Sequence, residues 1–454
     1  MNDWNIIHST QRIGVTKKSS SHHDPRSEYQ RDIDRIIFSP SFRRLQNKTQ
    51  VFPLPGSALV HNRLTHSLEV SSVGRSLGTL IGDHISQTVE LNNESEYFYK
   101  HELSNVVSAA CLAHDIGNPS FGHSGEKAIS NYFIENESSL KPMFSEAEWK
   151  DLITFEGNAN AIRLLTQKHH GKAEGGFRLT ATTLAAIAKY PCESIAMDRS
   201  LNLVHRKKYG FFQTEKKIFR EIAEASGLIK DEDSPLIYKR HPFVFLVEAA
   251  DDICYTIMDL EDAQKLSIIS YDECIDRLID LINGIHSDKK QSVERVSGFI
   301  SDKNEQVSFL RAMAINALIN KSVEIFKENL DGIIKGELNR GLLDILGDGH
   351  KEWNEIQKFS FDKIYLNNKV VEIEIAGFNV MYVLLEHFLP SAIEISKSAK
   401  HKMIKKLIPD QFMPKEHESP YERVMHILDF VSGMTDLYAT DMYRKITGIE
   451  IRSL

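Results

Sequence analysis

Apolar residues recur at three- and four-residue steps along most of this chain, and that period leaves helices as its main building material. In THSLEVSSVGRSLGTLI, Val70, Val73, Leu77, Leu80 and Ile81 fall on one stripe, which predicts a helix with a buried face and His66 in its first turn. ELSNVVSAACLAHDIGNP repeats the pattern through Leu103, Val106, Val107 and Ala110, until Gly117 and the Asn118-Pro119 step stop it. His114 and Asp115 are therefore expected to ride the last turn of a buried helix. Alternation is confined to NNKVVEIEIAG, with Val370, Val371, Ile373 and Ile375, and the helical pattern of FNVMYVLLEHFL beside it outweighs it. The expected fold is all-α. Neither a repeat nor a Pro- or Gly-rich linker marks a clear cut. The expected organisation is a polar arm over residues 1–26, a core over 27–265, and a helical part over 266–454 packed on that core.

The adjacent pair His114-Asp115 in AACLAHDIGNPSFGHSGEKAI offers an imidazole nitrogen and a carboxylate oxygen to one metal ion. Alone, such a pair at a helix end is ordinarily a capped terminus. HNRLTHSLEVSS adds His66, and EAADDICYTIMDLEDA adds Asp251, so two imidazoles and two carboxylates are on offer from three predicted helices. This nitrogen and oxygen set suits one divalent ion, with Mn or Mg placed first and Fe, Co, Ni or Zn also compatible, whereas a structural zinc is more often held by thiolates. An octahedral ion with four protein ligands keeps positions open for water and substrate, which reads as a catalytic site. His123 and Glu126 in GHSGE are three apart on one helix face, so the carboxylate can orient the imidazole for proton transfer.

Composition fits a soluble enzyme and decides little else. The 454 residues, 41% of them hydrophobic, are enough for one large core or two smaller ones. A net charge of -8 argues against a protein that coats nucleic acid, although HRKKYG and HKMIKKL are local basic segments, ordinarily solvated faces. The pair His22-His23 in the polar arm also reads as solvated. Cys111, Cys192, Cys254 and Cys274 form no CxxC and read as reduced, buried thiols. MNDWNIIHSTQRIG lacks the positive start and apolar run of a signal peptide, and no run approaches the ~20 apolar residues of a membrane span. The cytoplasm is the expected location.

In order, RLTHS, HDIGNPSFGHSGE and EAADDICYTIMDLEDA resemble the HD-domain deoxynucleoside triphosphate triphosphohydrolases, most closely the bacterial dGTP triphosphohydrolases. FRRLQNKTQVFPLPG, FEGNANAIRLL, AKYP and DFVSGMTDLYATDMYRKITG extend the resemblance over most of the chain. It implies a metal set of His66, His114, Asp115 and Asp251, with Asp251 chosen over Asp252. The row Asp251, Tyr255 and Asp259 at i, i+4, i+8 favours the same choice and runs ~12 Å along one helix face, a ruler from metal to sugar. The resemblance further implies that Arg63, Lys189 and Tyr190 meet phosphates, that Tyr255 meets phosphate or sugar, and that Asp259 accepts from the 3′-hydroxyl. Gln50 would approach the nucleotide, and His123 would be the catalytic histidine, paired with Glu126. Glu156 and Asn158 match without a chemical role, and Asn158 reads as a cap for the helix that follows.

The chemistry these groups support is metal-assisted hydrolysis, and the resemblance places cleavage at the α-phosphorus, with a deoxynucleoside and intact tripolyphosphate as products. It also implies a homo-oligomer, often a hexamer, and a regulatory nucleotide or single-stranded DNA. Two other readings share part of the site. One is a different HD phosphohydrolase, either a nucleoside monophosphatase or a guanosine tetraphosphate hydrolase; the other is a non-catalytic nucleotide sensor.

Overall fold

A computed structural model describes residues 3–15, 24–52, 60–168, 175–285, 299–393 and 398–450. Part of the polar arm, with His22 and His23, and residues 53–59 of FRRLQNKTQVFPLPG lie outside the described residues. The fold is all-α, as expected. Among the described residues the one sheet is an antiparallel pair, Lys230–Asp233 with Leu236–Tyr238. NNKVVEIEIAG lies wholly within helix apart from its first residue, Asn367, which caps it.

Eight helices build the site: α1 (Arg63–Thr88), α2 (Leu103–Ala113), α3 (His123–Glu135), α4 (Gly157–Thr166), α5 (Val244–Lys265), α6 (Asn368–Ala392), α7 (Pro420–Ser432) and α8 (Asp436–Thr447). Two apolar clusters hold them. One gathers Leu77, Ile81, Val106, Val107, Leu246 and Ile257 from α1, α2 and α5. The other gathers Ile129 and Phe133 of α3, Leu384 and Phe388 of α6, and Val424 and Leu428 of α7. The segment from His114 to Gly122 leaves the first cluster at the end of α2 and enters the second at the start of α3.

The helix α1 begins where its sequence can satisfy its own first amides. The Asn62 side chain accepts from Leu64 and Thr65, both at 3.0 Å, and the Thr65 hydroxyl accepts from the Asn62 amide at 3.1 Å, a reciprocal cap that sets His66 one turn in. Gly74, Gly78 and Gly82 then line the face that meets its neighbours. A Cβ at Gly82 would stand 2.1 Å from the Tyr99 carbonyl oxygen, and one at Gly78 2.8 Å from the Ser104 Cα, so these helices touch backbone to backbone. At 100° per residue the glycines lie on the opposite flank of the stripe from Leu80, which is why Leu80, expected in the buried set, is 40% exposed while Val70, Leu77 and Ile81 are fully buried.

Two further details differ from expectation. The helix α2 ends at Ala113, with His114 as its cap and Asp115 in a tight turn closed by the Ile116 amide on the Ala113 carbonyl at 3.1 Å. The His114-Asp115 pair therefore stands just beyond the helix, because the chain must turn there to bring Gly117 against α4, where a Cβ would lie 2.2 Å from the Gly157 oxygen. All four cysteines are buried and free, as the sequence indicated. Among the described residues no helix is long and apolar enough to cross a membrane.

Overpacking this helix contact is expected to cost stability. Gly82→Ala should lower the unfolding free energy by roughly 1–3 kcal/mol in denaturant melts, whereas Gly332→Ala, with nothing within 4 Å of the added carbon, should change it little. An unchanged Gly82→Ala midpoint would show that these helices can separate freely.

Candidate metal centre and nucleotide cavity

His66 of α1, His114 and Asp115 beyond α2, and Asp251 of α5 converge. The His66 Nε2 lies 3.1 Å from Asp251 Oδ1, and His114 Nε2 lies 3.4 Å from the same oxygen and 3.6 Å from Asp115 Oδ1. His66, His114 and Asp115 each offer a ligand atom within 4.8 Å of the others, and all three are buried. The protonation pattern suits an ion. His114 Nδ1 lies 2.6 Å from the Cys111 carbonyl, which can only accept, so Nδ1 carries a proton and Nε2 is the nitrogen turned toward the carboxylates. That Nε2 is buried without a hydrogen-bond partner, as a metal-directed nitrogen would be.

Electrostatics keep both carboxylates ionised. Burial pushes Asp115 up, but the Arg63 guanidinium, donating at 2.7 Å, and then His114 and His66 outweigh it and hold the group at about 2. Burial acts on Asp251 in the same direction, and Lys189, at 2.6 Å, with His114 carries it well below the usual carboxylate range. Lys189 is raised in turn, because Asp251, Glu248 and Asp252 overcome the effect of its burial.

A cavity of about 420 Å³ opens beside the cluster and is lined by Gln50, Arg63, Lys189, Tyr190, Tyr255 and Lys208, among others. Its size falls in the roughly 300–1,000 Å³ range of small-molecule sites. His123 and Glu126 line it too. The His123 Nδ1 donates to Glu126 Oε2 at 2.8 Å, and the Gly157 amide, first in α4, donates to the other oxygen at 2.8 Å. Glu126 is buried, which raises it, yet its bond to His123, the nearby Lys208 and the Gly157 amide hold it below its ordinary value. An ionised Glu126 fixes the His123 proton on Nδ1 and leaves Nε2 for exchange. His123 itself is 73% exposed at the side chain, so that nitrogen is accessible.

Three residues behave differently from the sequence reading. The cap of α4 is Glu156, whose side chain accepts from the Asn158 amide at 3.4 Å and from Asn158 Nδ2 at 2.7 Å, so Asn158 buttresses the cap rather than forming it. Asp259 is only 4% exposed and does not line the cavity. The Tyr365 hydroxyl donates to its Oδ2 at 2.7 Å, and the Tyr365 ring stacks on Tyr255 with centroids 5.5 Å apart. Burial pushes Asp259 up to about 8, less far than it would go without the Tyr365 hydroxyl.

Tyr365 and Lys208 were missed in sequence. Tyr365 ends a π-helical turn, Phe361–Tyr365, that continues the helix Lys351–Ser360 and brings both aromatic rings to the cavity wall. Lys208 lies in HRKKYG, which reads as solvated surface, but it pairs with Glu156 at 2.9 Å on the cavity side. The neighbouring Lys207 is exposed.

A buried cluster of two imidazoles and two carboxylates, flanked by cations, defines a metal-dependent phosphohydrolase centre of the HD class. Residues 63–199 match the HD domain and residues 348–445 match the phosphohydrolase-associated domain. The chain is 37% identical to a deoxyguanosinetriphosphate triphosphohydrolase-like protein of Synechocystis sp., over 99% of this chain and all of that one. It is 35% identical to a protein of the same description from Pseudomonas aeruginosa, over 98% of this chain and 99% of the relative. It is 28% identical to the deoxyguanosinetriphosphate triphosphohydrolase of Yersinia enterocolitica, over 97% of this chain and 98% of the relative. The chain belongs to the HD-domain deoxyguanosinetriphosphate triphosphohydrolase family.

Removing one carboxylate from the cluster should abolish metal retention. Asp251→Ala is expected to purify without its ion and without turnover, whereas Asp252→Ala keeps both, as read by elemental analysis per chain and by activity with added Mn or Mg. Normal metal content and rate in Asp251→Ala would remove Asp251 from the set.

Proposed function

We propose that this protein hydrolyses deoxynucleoside triphosphates, dGTP first among them, to deoxynucleoside and tripolyphosphate. The observation that carries the reading is that metal donors, three cations and a stacked tyrosine pair share one cavity. The names of the relatives support the same substrate class.

The four-residue set would hold a divalent ion, with Mn or Mg the first candidates, and when bound it supplies Lewis acidity toward an α-phosphate oxygen and a lowered water pKa. Arg63 and Lys189 line the cavity and would meet the phosphates. Arg63 presents a planar fork and Lys189 and Lys208 compact charges, which together offset the charge that develops in the transition state. Tyr190 adds a hydroxyl to the same group of phosphate contacts. His123 Nε2 takes a proton from the attacking water, with Glu126 stabilising the imidazolium through Nδ1. The bond from the α-phosphorus to the 5′-oxygen breaks, that oxygen gains a proton to give the deoxynucleoside, and the three phosphates leave together. The Gln50 amide can donate and accept toward a base or sugar edge. Tyr255 and Tyr365 flank the sugar, with Asp259 behind them acting on it through the Tyr365 hydroxyl that it holds.

Product analysis tests the reaction. Incubation of each deoxy- and ribonucleoside triphosphate with Mn or Mg should release tripolyphosphate whole from the deoxy substrates, as resolved by anion-exchange chromatography. Orthophosphate or pyrophosphate as the first product would assign the protein to another phosphohydrolase activity.

The sugar contact has its own test. Asp259→Ala should retain metal and lose roughly 0.5–1.5 kcal/mol of transition-state binding, as for one hydrogen bond between neutral groups. It should also lose most of its preference for deoxy- over 2′,3′-dideoxynucleotides. Equal discrimination by the wild type and the variant would mean that Asp259 does not read the sugar.

A further inference from the structure

Asp436, the first residue of α8, is fully buried and does not line the cavity. Its two carboxylate oxygens are divided between two distant stretches of backbone. Oδ2 accepts from the Thr49 amide at 2.7 Å, next to Gln50, and Oδ1 accepts from the Phe121 amide at 2.9 Å, two residues before His123. Two amide donors, the positive end of a helix and the nearby buried Lys48 all offset negative charge there.

The backbone it holds on the His123 side is strained. Phe121 has φ of +60° and Gly122 follows at +56°, so two successive residues sit in the region L side chains avoid, and His123 opens α3 directly after them. A non-glycine residue held there costs on the order of 1–3 kcal/mol and persists only where its surroundings over-determine it. Those surroundings come from the C-terminal region. Besides Asp436, the Met434 carbonyl accepts from the Ser120 hydroxyl at 2.7 Å, and the Phe121 ring lies so close to Gly377 of α6 that a Cβ there would be 2.5 Å from the ring. On the opposite side, a Cβ at Gly122 would lie 2.7 Å from Arg63 Nη2.

We propose that Asp436 is a positioning residue for the reaction: it locks the strained Phe121-Gly122 turn and thereby aims His123 at the substrate. The C-terminal phosphohydrolase-associated region would then contribute to catalysis by holding a loop of the HD domain in a conformation the loop does not keep alone. The inference rests on the reading of His123 as the proton-transfer group, so its test includes that residue.

The experiment is a double-mutant cycle of Asp436→Asn and His123→Ala on the full-length, metal-loaded protein, reading kcat, metal content and thermal unfolding. Asparagine keeps the size and one acceptor but turns an N–H toward one of the two amides. Asp436→Asn should keep its metal and lose about 10–100-fold in kcat, the scale of a reacting group displaced by up to an ångström. His123→Ala should lose about 10²–10⁴-fold. The double variant should be no slower than His123→Ala, because the group being aimed is gone. Losses that multiply would make Asp436 a general structural residue and overturn the proposal, as would a folded Asp436→Asn with wild-type kcat. Full activity in His123→Ala would instead overturn the assignment of His123. Should Asp436→Asn not fold, Gly377→Ala, which presses on Phe121 from α6, replaces it in the cycle: a kcat loss that vanishes in the His123→Ala background supports the proposal, and losses that multiply overturn it.

Discussion

Asp115 and Asp251 are two carboxylates that the fold removes from water side by side, and the rest of the site is arranged to make that tolerable. An ion buried without partners costs several kcal/mol. Each carboxylate therefore has its own cation, Arg63 for Asp115 and Lys189 for Asp251, and each shares an imidazole with the other through His114. These partners arrive from separate parts of the chain, so only the folded core brings them together. The compensating cations also line the cavity.

A second constraint acts on the loop between α2 and α3. The strain at Phe121 and Gly122 is sustained because the C-terminal helices are firmly docked. Arg163 of α4 donates through Nε and Nη2 to the two oxygens of Asp429 in α7, at 2.7 and 2.8 Å, and through Nη1 to Glu215 at 2.7 Å. Ile427, Leu428 and Val431 bury the adjoining face of α7 in the second apolar cluster. Helix α7 ends at Ser432, whose carbonyl accepts from the buried Lys48 at 3.0 Å, and the chain then reaches Asp436. The sequence DFVSGMTD is thus a series of docking points spaced along a few residues, holding Lys48, Thr49, Ser120, Phe121 and Arg163.

Much of this was legible in the sequence, and the reasons differ by level. Helix positions follow from local periodicity, and the ligand set from residue chemistry and motif order, so both can be read without knowing what packs on what. The glycines at 74, 78 and 82 were visible too, but their spacing says only that one face is small; that Tyr99 and Ser104 come up against it is tertiary information. Lys208, Tyr365 and Asp436 were illegible as site-shaping residues because their contacts span 52, 106 and more than 300 residues and carry no local signature. Lys208 was hidden further by its neighbours, since a basic run reads as a solvated face even when one member turns inward.

The row Asp251, Tyr255, Asp259 shows where periodicity stops being sufficient. All three lie on α5 at four-residue steps, so the helix does project them along one line. What a helix face cannot specify is which side chain from elsewhere covers it. The π-helical turn at Phe361–Tyr365 adds a residue to the preceding helix and swings Tyr365 over the row, where its ring stacks on Tyr255 and its hydroxyl takes Asp259. Asp251 thereby faces the metal cluster, Tyr255 the cavity, and Asp259 a tyrosine. The spacing of the row is set by α5, but its chemistry is set by a residue from the C-terminal region, the same region that holds the turn before His123.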